Sequence, residues 1–146
     1  MKFKNPTGTV LYSIEQTIKE YRKYSQKNIT KFIKDITIDQ CLVLIILNTK
    51  TTSSQKEIAD LIFKDYASVT RIIELMVKKE YLIRTSNPDD RRKFTLKLTA
   101  KGEKTIDLLT PEIQQNRSKA LNGLSTDEID QLDKILHKII LNCKDQ

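Results

Sequence analysis

The sequence has 146 residues, the length of one domain, which leaves little room for a second independent core. Charged residues make up 31% of the chain and the net charge is +7, so we expect a folded protein with a polyanionic partner, either nucleic acid or an acidic membrane. No apolar run approaches the roughly 20 residues that span a bilayer, and residues 1–10 lack the apolar core of a signal peptide. Two distant cysteines form neither a metal motif nor a disulfide framework, and a reduced cytoplasm fits this usage best.

The first predicted helix runs from about residue 9 to residue 34. Its apolar residues Leu11, Ile14, Ile18 and Tyr21 recur at intervals of three and four, as on one face of a helix. A helix of this length exceeds most compact cores. We therefore expect part of it to pack on something outside its own domain.

The second predicted helix, from about Asp39 to Leu47, is apolar on nearly all sides and should lie centrally in the core. Ser54 opens a third, short helix that ends near Phe63. Ser54 and Glu57 have the spacing of a capping box, in which the serine side chain accepts a hydrogen bond from an early helix amide.

Asp65 is the predicted cap of a fourth helix. One face of this helix is continuously apolar, and the opposite face holds Ala67, Arg71, Glu74 and Lys78. Two short helices joined by a tight connection, the second with small and polar residues at its start, are typical of a helix-turn-helix.

After Tyr81 the apolar period changes from 3.6 to 2, which predicts a β-hairpin. The predicted strands are residues 81–86 and 93–98, and residues 87–92 form the turn between them. Alternation of Phe94, Leu96 and Leu98 with polar residues predicts one buried face. Because Arg91 and Arg92 would stand at its tip, the hairpin has the character of a basic wing.

Two further helices complete the chain. Thr99 can cap the first, which Pro111 should bend, and Ser125 with Glu128 forms a second capping box before the last helix. Neither terminal arm can bury its apolar stripe alone, so dimerisation is the simplest way to cover both stripes. The predicted fold is mainly α with a small β-hairpin wing. It is one domain, 1–146, in which a winged helix-turn-helix (38–99) lies between N-terminal (9–34) and C-terminal (100–146) dimerisation helices.

A helix and a basic hairpin of this kind can grip duplex DNA together. The N-terminal half of the helix enters the major groove and the hairpin arginines reach the adjacent minor groove. On these two elements the predicted DNA-binding residues are Tyr66, Ala67, Ser68, Thr70, Arg71, Arg91 and Arg92.

Six segments in order and spacing resemble the MarR (multiple antibiotic resistance regulator) family of transcriptional regulators. They are residues 38–40, 54–59, 67–71, 78–79, 88–92 and 96–102. The resemblance implies that Arg71, with Ser68 and Thr70, reads the major groove, and that Asp90 orients the wing arginines Arg91 and Arg92. It also adds Ser54, Gln55 and Asp90 to the predicted DNA-binding residues. It also implies a homodimer on a pseudo-palindromic operator, and repression as the sense of regulation.

The resemblance further implies a small-molecule inducer, whose identity is unknown from sequence. Family members often bind small aromatic acids in a crevice between the arms and the winged domain. Tyr21, Tyr24, Phe32 and Cys41 could line such a crevice, although each is more often ordinary core.

Two positions depart from the family pattern. Glu80 stands where a glycine usually closes the recognition helix, so either Glu80 adopts a strained left-handed conformation or the helix ends differently. Cys41 stands where an aromatic residue is common. It could be a peroxide-sensing thiol, but a buried cysteine acting as a small apolar residue is favoured.

Other function classes have weaker support in the sequence. A single histidine, His137, no Gly-rich phosphate loop and no nucleophile beside a base argue against an enzyme, a metal site or a cofactor. A winged-helix module that binds protein instead of DNA stays open, although the basic wing argues against it. Four acidic residues near the start of the last helix argue against membrane binding.

Overall fold

The computed structural model describes residues 5–49 and 54–144. Within these ranges the chain forms six α-helices and one antiparallel hairpin. The elements are α1 (Val10–Thr30), α2 (Ile38–Thr49), α3 (Gln55–Ile62), α4 (Tyr66–Lys78), β1 (Leu82–Asn87), β2 (Asp90–Leu98), α5 (Ala100–Ala120) and α6 (Thr126–Lys144). The predicted order of elements, and the mainly α fold with one hairpin, are confirmed.

The predicted caps begin four of these helices. The side chain of Ser54 accepts from the Glu57 amide at 3.1 Å, and that of Thr99 accepts from the Gly102 amide at 3.0 Å. At Ser125 the capping box is complete: the Ser125 amide donates to the Glu128 carboxylate at 2.8 Å, and the Glu128 amide donates to the Ser125 hydroxyl at 3.1 Å. These bonds satisfy amides that a helix start otherwise leaves without partners.

Helix α1 ends at Thr30, so the prediction that it continues to residue 34 is wrong. The chain turns there because Ile33 and Ile36 enter the core, with Ile36 almost fully buried. The Gln26 side chain holds the turn, donating to the Ile36 carbonyl at 2.9 Å and accepting from the Ile38 amide at 3.0 Å. The apolar periodicity of the sequence does not reveal hydrogen bonds of this kind between a helix and the loop that follows it.

The core is formed where α2 meets the helix-turn-helix and the hairpin. As predicted, α2 is central, and Val43 and Leu44 are almost completely buried. The same cluster contains Ile58 from α3, Val69, Ile73 and Met76 from α4, Leu82 and Leu96 from the hairpin, and Leu109 from α5. Helix α4 therefore lies with one face in the core and the other outward.

The hairpin differs from its predicted form at the tip. Asn87 pairs with Asp90, and the two residues between them, Pro88 and Asp89, make the turn. The Asn87 side chain stabilises this turn by accepting from the Asp89 amide at 3.0 Å. The prediction of a turn spanning residues 87–92 is therefore wrong, because β2 begins at Asp90.

This register moves the backbone of Arg91 and Arg92 from the turn into β2. Ser86 pairs with Phe94 and Asn87 with Asp90, so residues 91–93 form an irregularity opposite adjacent residues of β1. The predicted buried face is only partly confirmed: Leu96 is buried, but Phe94 is 56% exposed because it lies beyond the edge of the core.

The two arms leave apolar side chains in solvent. Helix α6 has no buried residue, and about half the surface of Leu132, Ile135, Ile140 and Leu141 is exposed. In the N-terminal part of α1, Leu11 and Ile18 are exposed as well. Nearer its end, α1 packs against α5, where the buried Asn28 amide donates to the Asn116 side chain at 2.9 Å. None of the described helices is both long and apolar enough to cross a membrane.

Candidate DNA interface

The start of α4 is organised by Asp65. Its carboxylate accepts from the Ser68 amide and from the Ser68 hydroxyl, both at 2.8 Å. These two hydrogen bonds hold the pKa of Asp65 below its ordinary value, the backbone bond being the larger cause. The cap therefore stays ionised at neutral pH and fixes the first turn of the helix, while the Ser68 proton is engaged within the protein.

Gln55 and Thr70 connect α3 to the second turn of α4. The Gln55 amide donates to the Thr70 hydroxyl at 2.5 Å, and this hydroxyl donates to the Tyr66 carbonyl at 2.9 Å. Both side chains are half-buried. In the free protein they hold the two helices of the helix-turn-helix together, and any contact of theirs with DNA stays a prediction.

The outward face of α4 carries the remaining predicted residues. Tyr66, Ala67 and Arg71 are exposed, on the side opposite Val69 and Ile73. Among the residues that the structure describes, none forms a hydrogen bond or an ion pair with the Arg71 side chain. Its five donors are free to approach phosphates or base edges.

Both helices of the motif end on a non-glycine residue with left-handed backbone. Phe63 has φ 58° and Glu80 has φ 66°. At the end of α4, the Glu80 amide donates to the Val77 carbonyl at 3.0 Å, and the Tyr81 amide donates to Met76 at 2.9 Å. This bond pattern is a Schellman motif. Of the two alternatives for Glu80, the strained one is therefore observed.

The end of α4 is also anchored by charged side chains that the sequence did not single out for this role. The Lys79 ammonium donates to the Asp35 carbonyl at 2.5 Å and lies 3.6 Å from the Asp35 carboxylate. Lys101 donates to the Lys79 carbonyl at 2.7 Å and stands 4.5 Å from the centroid of the Tyr81 ring. Burial, together with the negative charge of Asp35, raises the pKa of Tyr81. These contacts tie the recognition helix to the loop after α1 and to α5.

On the wing, the side chains of Arg91 and Arg92 lie outside the described part of the chain. Asp90, predicted to orient them, begins β2 and pairs with Asn87. A basic residue that the prediction missed, Arg84, lies 5.8 Å from the centroid of the Phe94 ring. The strand alternation could have indicated this pair, because Arg84 pairs with Leu96 and Phe94 is two residues away on the same face.

The four residues considered for a ligand crevice lie in three different places in the structure. Tyr21 and Tyr24 line an open groove of about 740 Å³ between α1 and the end of α5, where Glu20 and Lys119 also contribute. Phe32 is half-exposed in the loop after α1. Cys41 is buried, and burial raises the pKa of its thiol to about 12. The second cysteine, Cys143, is exposed.

The described residues thus form a capped recognition helix with a free arginine, beside a hairpin whose second strand contains two arginines. The MarR family model matches residues 36–94, from the loop before α2 to the first half of β2. This part of the chain is similar to the MarR family. This match covers the whole helix-turn-helix and most of the wing.

Similarity to other known proteins extends to the arms. The HTH-type transcriptional regulator BilQ of Clostridium symbiosum is 27% identical over 132 residues, which cover 86% of this chain and 92% of BilQ. Two solved structures share the fold. Bordetella bronchiseptica BpsR is 22% identical with a TM-score of 0.84, over 94% of this chain and 97% of BpsR. S. aureus MepR, solved with DNA, is 21% identical with a TM-score of 0.83, over 92% and 98%.

Proposed function

We propose that the protein is a homodimeric transcription regulator that binds a pseudo-palindromic duplex operator and is released from it by a small molecule. The observation that carries this proposal is the outward face of α4, where Arg71 is exposed and has no partner among the described residues, beside a first turn that Asp65 caps. The similarity to the transcriptional regulator BilQ, and to MepR, which was solved with DNA, supports the same function. We propose a regulatory role in the cytoplasm, where the chromosome lies, and no catalytic one.

In this proposal each element touches a different part of the duplex. The first two turns of α4 enter the major groove, with Tyr66, Ala67 and Arg71 toward the bases and Ser68 and Thr70 behind them. Ser54 and Gln55, at the start of α3, lie toward the phosphates. The wing places Arg91 and Arg92 in the adjacent minor groove, and Asp90 orients them.

In this proposal the N- and C-terminal helices join two copies of the chain, and the second copy binds the second half of the operator. Because α6 and the first half of α1 expose apolar side chains in the protomer, a second copy that covers them would remove this surface from water. The division into a winged motif, 38–99, between dimerisation helices, 9–34 and 100–146, is part of this proposal. A two-fold dimer presents two copies of α4 about one helical turn of DNA apart.

The proposed response to a small molecule is based on the structural similarity to BpsR. The structure of BpsR concerns the mechanism by which 6-hydroxynicotinic acid regulates its DNA binding. In this chain the groove at Tyr21 and Tyr24 lies on the arm, between α1 and α5, so that an occupant would act on the elements that carry the motif. Repression by blocking polymerase is the proposed sense of regulation.

The test begins with selection of an operator from a random duplex pool by the full-length protein. Arg71→Ala should weaken binding to the selected operator by about 1–3 kcal/mol, and relax sequence preference if its contact is to a base. Replacement of Arg91 and Arg92 by Ala should lower affinity for operator and random duplex alike, and flatten the dependence on salt. Melting curves control for folding. If both variants fold and bind the operator as tightly as the parent, the proposal is wrong.

A further inference from the structure

The connection between α3 and α4 contains an aromatic ring that the fold does not use. The Phe63 side chain is 92% exposed, so it contributes almost nothing to the core. Its φ of 58° is one that a bulky residue rarely adopts. The backbone enforces this conformation, because the Phe63 amide donates to Asp60 at 3.4 Å and the Lys64 amide donates to Ala59 at 3.1 Å. Glycine would fit here without strain, so neither packing nor backbone geometry accounts for phenylalanine.

The position of the ring suggests what it contacts. Phe63 precedes the Asp65 cap by two residues, and Tyr66, 60% exposed, begins the helix that would enter the major groove. The charged residues Asp60, Lys64 and Asp65 are exposed near Phe63 in the chain, and so is Leu61, at 45%. A docking site for another protein usually needs a contiguous apolar patch of several hundred Å². Three exposed apolar side chains interspersed with charged ones are better matched to a duplex, which has isolated thymine methyl groups and deoxyribose rings among its phosphates.

We propose that Phe63 makes an apolar contact with DNA at the edge of the major groove, against a thymine methyl group or a deoxyribose. This inference rests on the proposed function and adds a residue to its DNA-binding set. The ring would be buried only in the complex, which explains why an exposed and strained phenylalanine stands at a position where glycine suits the free protein.

The experiment compares Phe63→Gly and Phe63→Ala with a matched control, Glu80→Gly. Glu80 has the same left-handed conformation, but it lies at the opposite end of α4 from Tyr66. Both glycine variants should melt higher than the parent, by about 2–4 °C, because they relieve the same strain. On the operator selected from random duplex, Phe63→Gly and Phe63→Ala should lose about tenfold in affinity. Glu80→Gly should bind at least as tightly as the parent, since it removes only a negative charge.

A second operator, synthesised with deoxyuridine in place of thymidine, distinguishes a contact with a thymine methyl group from a contact with deoxyribose. If the parent loses affinity for it and Phe63→Gly does not, the contact is with a thymine methyl group. If Phe63→Gly stays about tenfold weaker than the parent on both operators, the contact is with deoxyribose. If the parent selects an operator and Phe63→Gly binds it as tightly as the parent does, the inference is overturned while the proposed function stands. If the parent enriches no duplex, the proposed function fails, and this inference with it.

Discussion

Gly102 should be the least replaceable glycine among the described residues, because α5 begins in direct contact with the backbone that leads into the wing. A Cβ atom at position 102 would lie 2.5 Å from the Tyr81 carbonyl oxygen and 3.3 Å from Cδ2 of Leu98. The carbonyl is held in place, since it accepts from the Thr99 amide at 3.2 Å and from the Thr99 hydroxyl at 3.1 Å. Gly102→Ala must therefore displace the helix start or break these bonds.

The size of the effect follows from opposing contributions. Overpacking at such a contact costs about 1–3 kcal/mol. Weakening one of the Thr99 hydrogen bonds adds about 1 kcal/mol. Alanine in place of glycine inside a helix returns about 0.5–1 kcal/mol. The net destabilisation of Gly102→Ala should be about 1–3 kcal/mol, which corresponds to a melting temperature lower by about 3–8 °C for a chain of this size.

Thermal and urea unfolding at one fixed protein concentration would measure this loss, since dimerisation makes the stability depend on concentration. Gly8→Ala is the matched control, because nothing lies within 4 Å of a Cβ at that position and the backbone there is not left-handed. The control should unfold like the parent or slightly above it. Equal melting temperatures for Gly102→Ala and Gly8→Ala would refute the reasoning from the close contact.

Three further outcomes are expected. Light scattering at micromolar concentration should give about twice the 17.0 kDa of one chain, and truncation after Leu121, which removes α6, should abolish the dimer or cause aggregation. Because the pKa of Asp65 is lowered in the fold, its carboxylate stabilises the protein above about pH 4, and this contribution is lost as the pH falls through the lowered pKa. Asp65→Asn should therefore reduce the fall in unfolding free energy on acidification, and an unchanged pH profile would contradict the role of the cap. If Cys41 and Cys143 are both replaced by Ala, operator binding in peroxide should be the same as for the parent, because the buried Cys41 thiol stays protonated. If the parent shows a peroxide response that the double variant has lost, the cysteines have a redox role.

Helix starts were predictable because their chemistry is local. Ser54, Asp65, Thr99 and Ser125 each bond an amide three residues further along, so spacing in the sequence is spacing in the structure. The same rule would have found the start of α2, where the Thr37 hydroxyl accepts from Gln40 at 3.2 Å and the Gln40 side chain accepts from the Thr37 amide at 3.2 Å. That box was missed because the apolar run after it dominated the interpretation.

Features that depend on distant residues were not predictable in this way. The end of α1 is set by Gln26 acting on a loop ten residues later. The buried pair of Asn28 and Asn116 joins residues 88 apart, and the sequence shows two ordinary polar positions. In the candidate interface, the position of Arg71 on the outward face follows from helical periodicity, but its lack of a partner within the described part of the chain depends on the neighbouring side chains. The wing tip was placed too broadly because one proline and one asparagine make a tighter turn than the polar run indicates.

The orientation of the recognition helix relative to the arm depends on polar contacts as well as on the core. Arg22 of α1 pairs with Asp39 at 2.5 Å, and the other Asp39 oxygen lies 3.7 Å from Lys64, in the connection before α4. At the far end of α4, Lys79 bonds the loop that Gln26 of α1 also holds. Helix α1 is thus connected to both ends of α4 through side chains. An apolar core alone would tolerate small rotations of α4, whereas the ion pair before its start and the hydrogen bond at its end oppose them. In the proposed two-fold dimer, this restriction would help to set the separation of the two recognition helices, and with it the spacing of half-sites that the dimer would read.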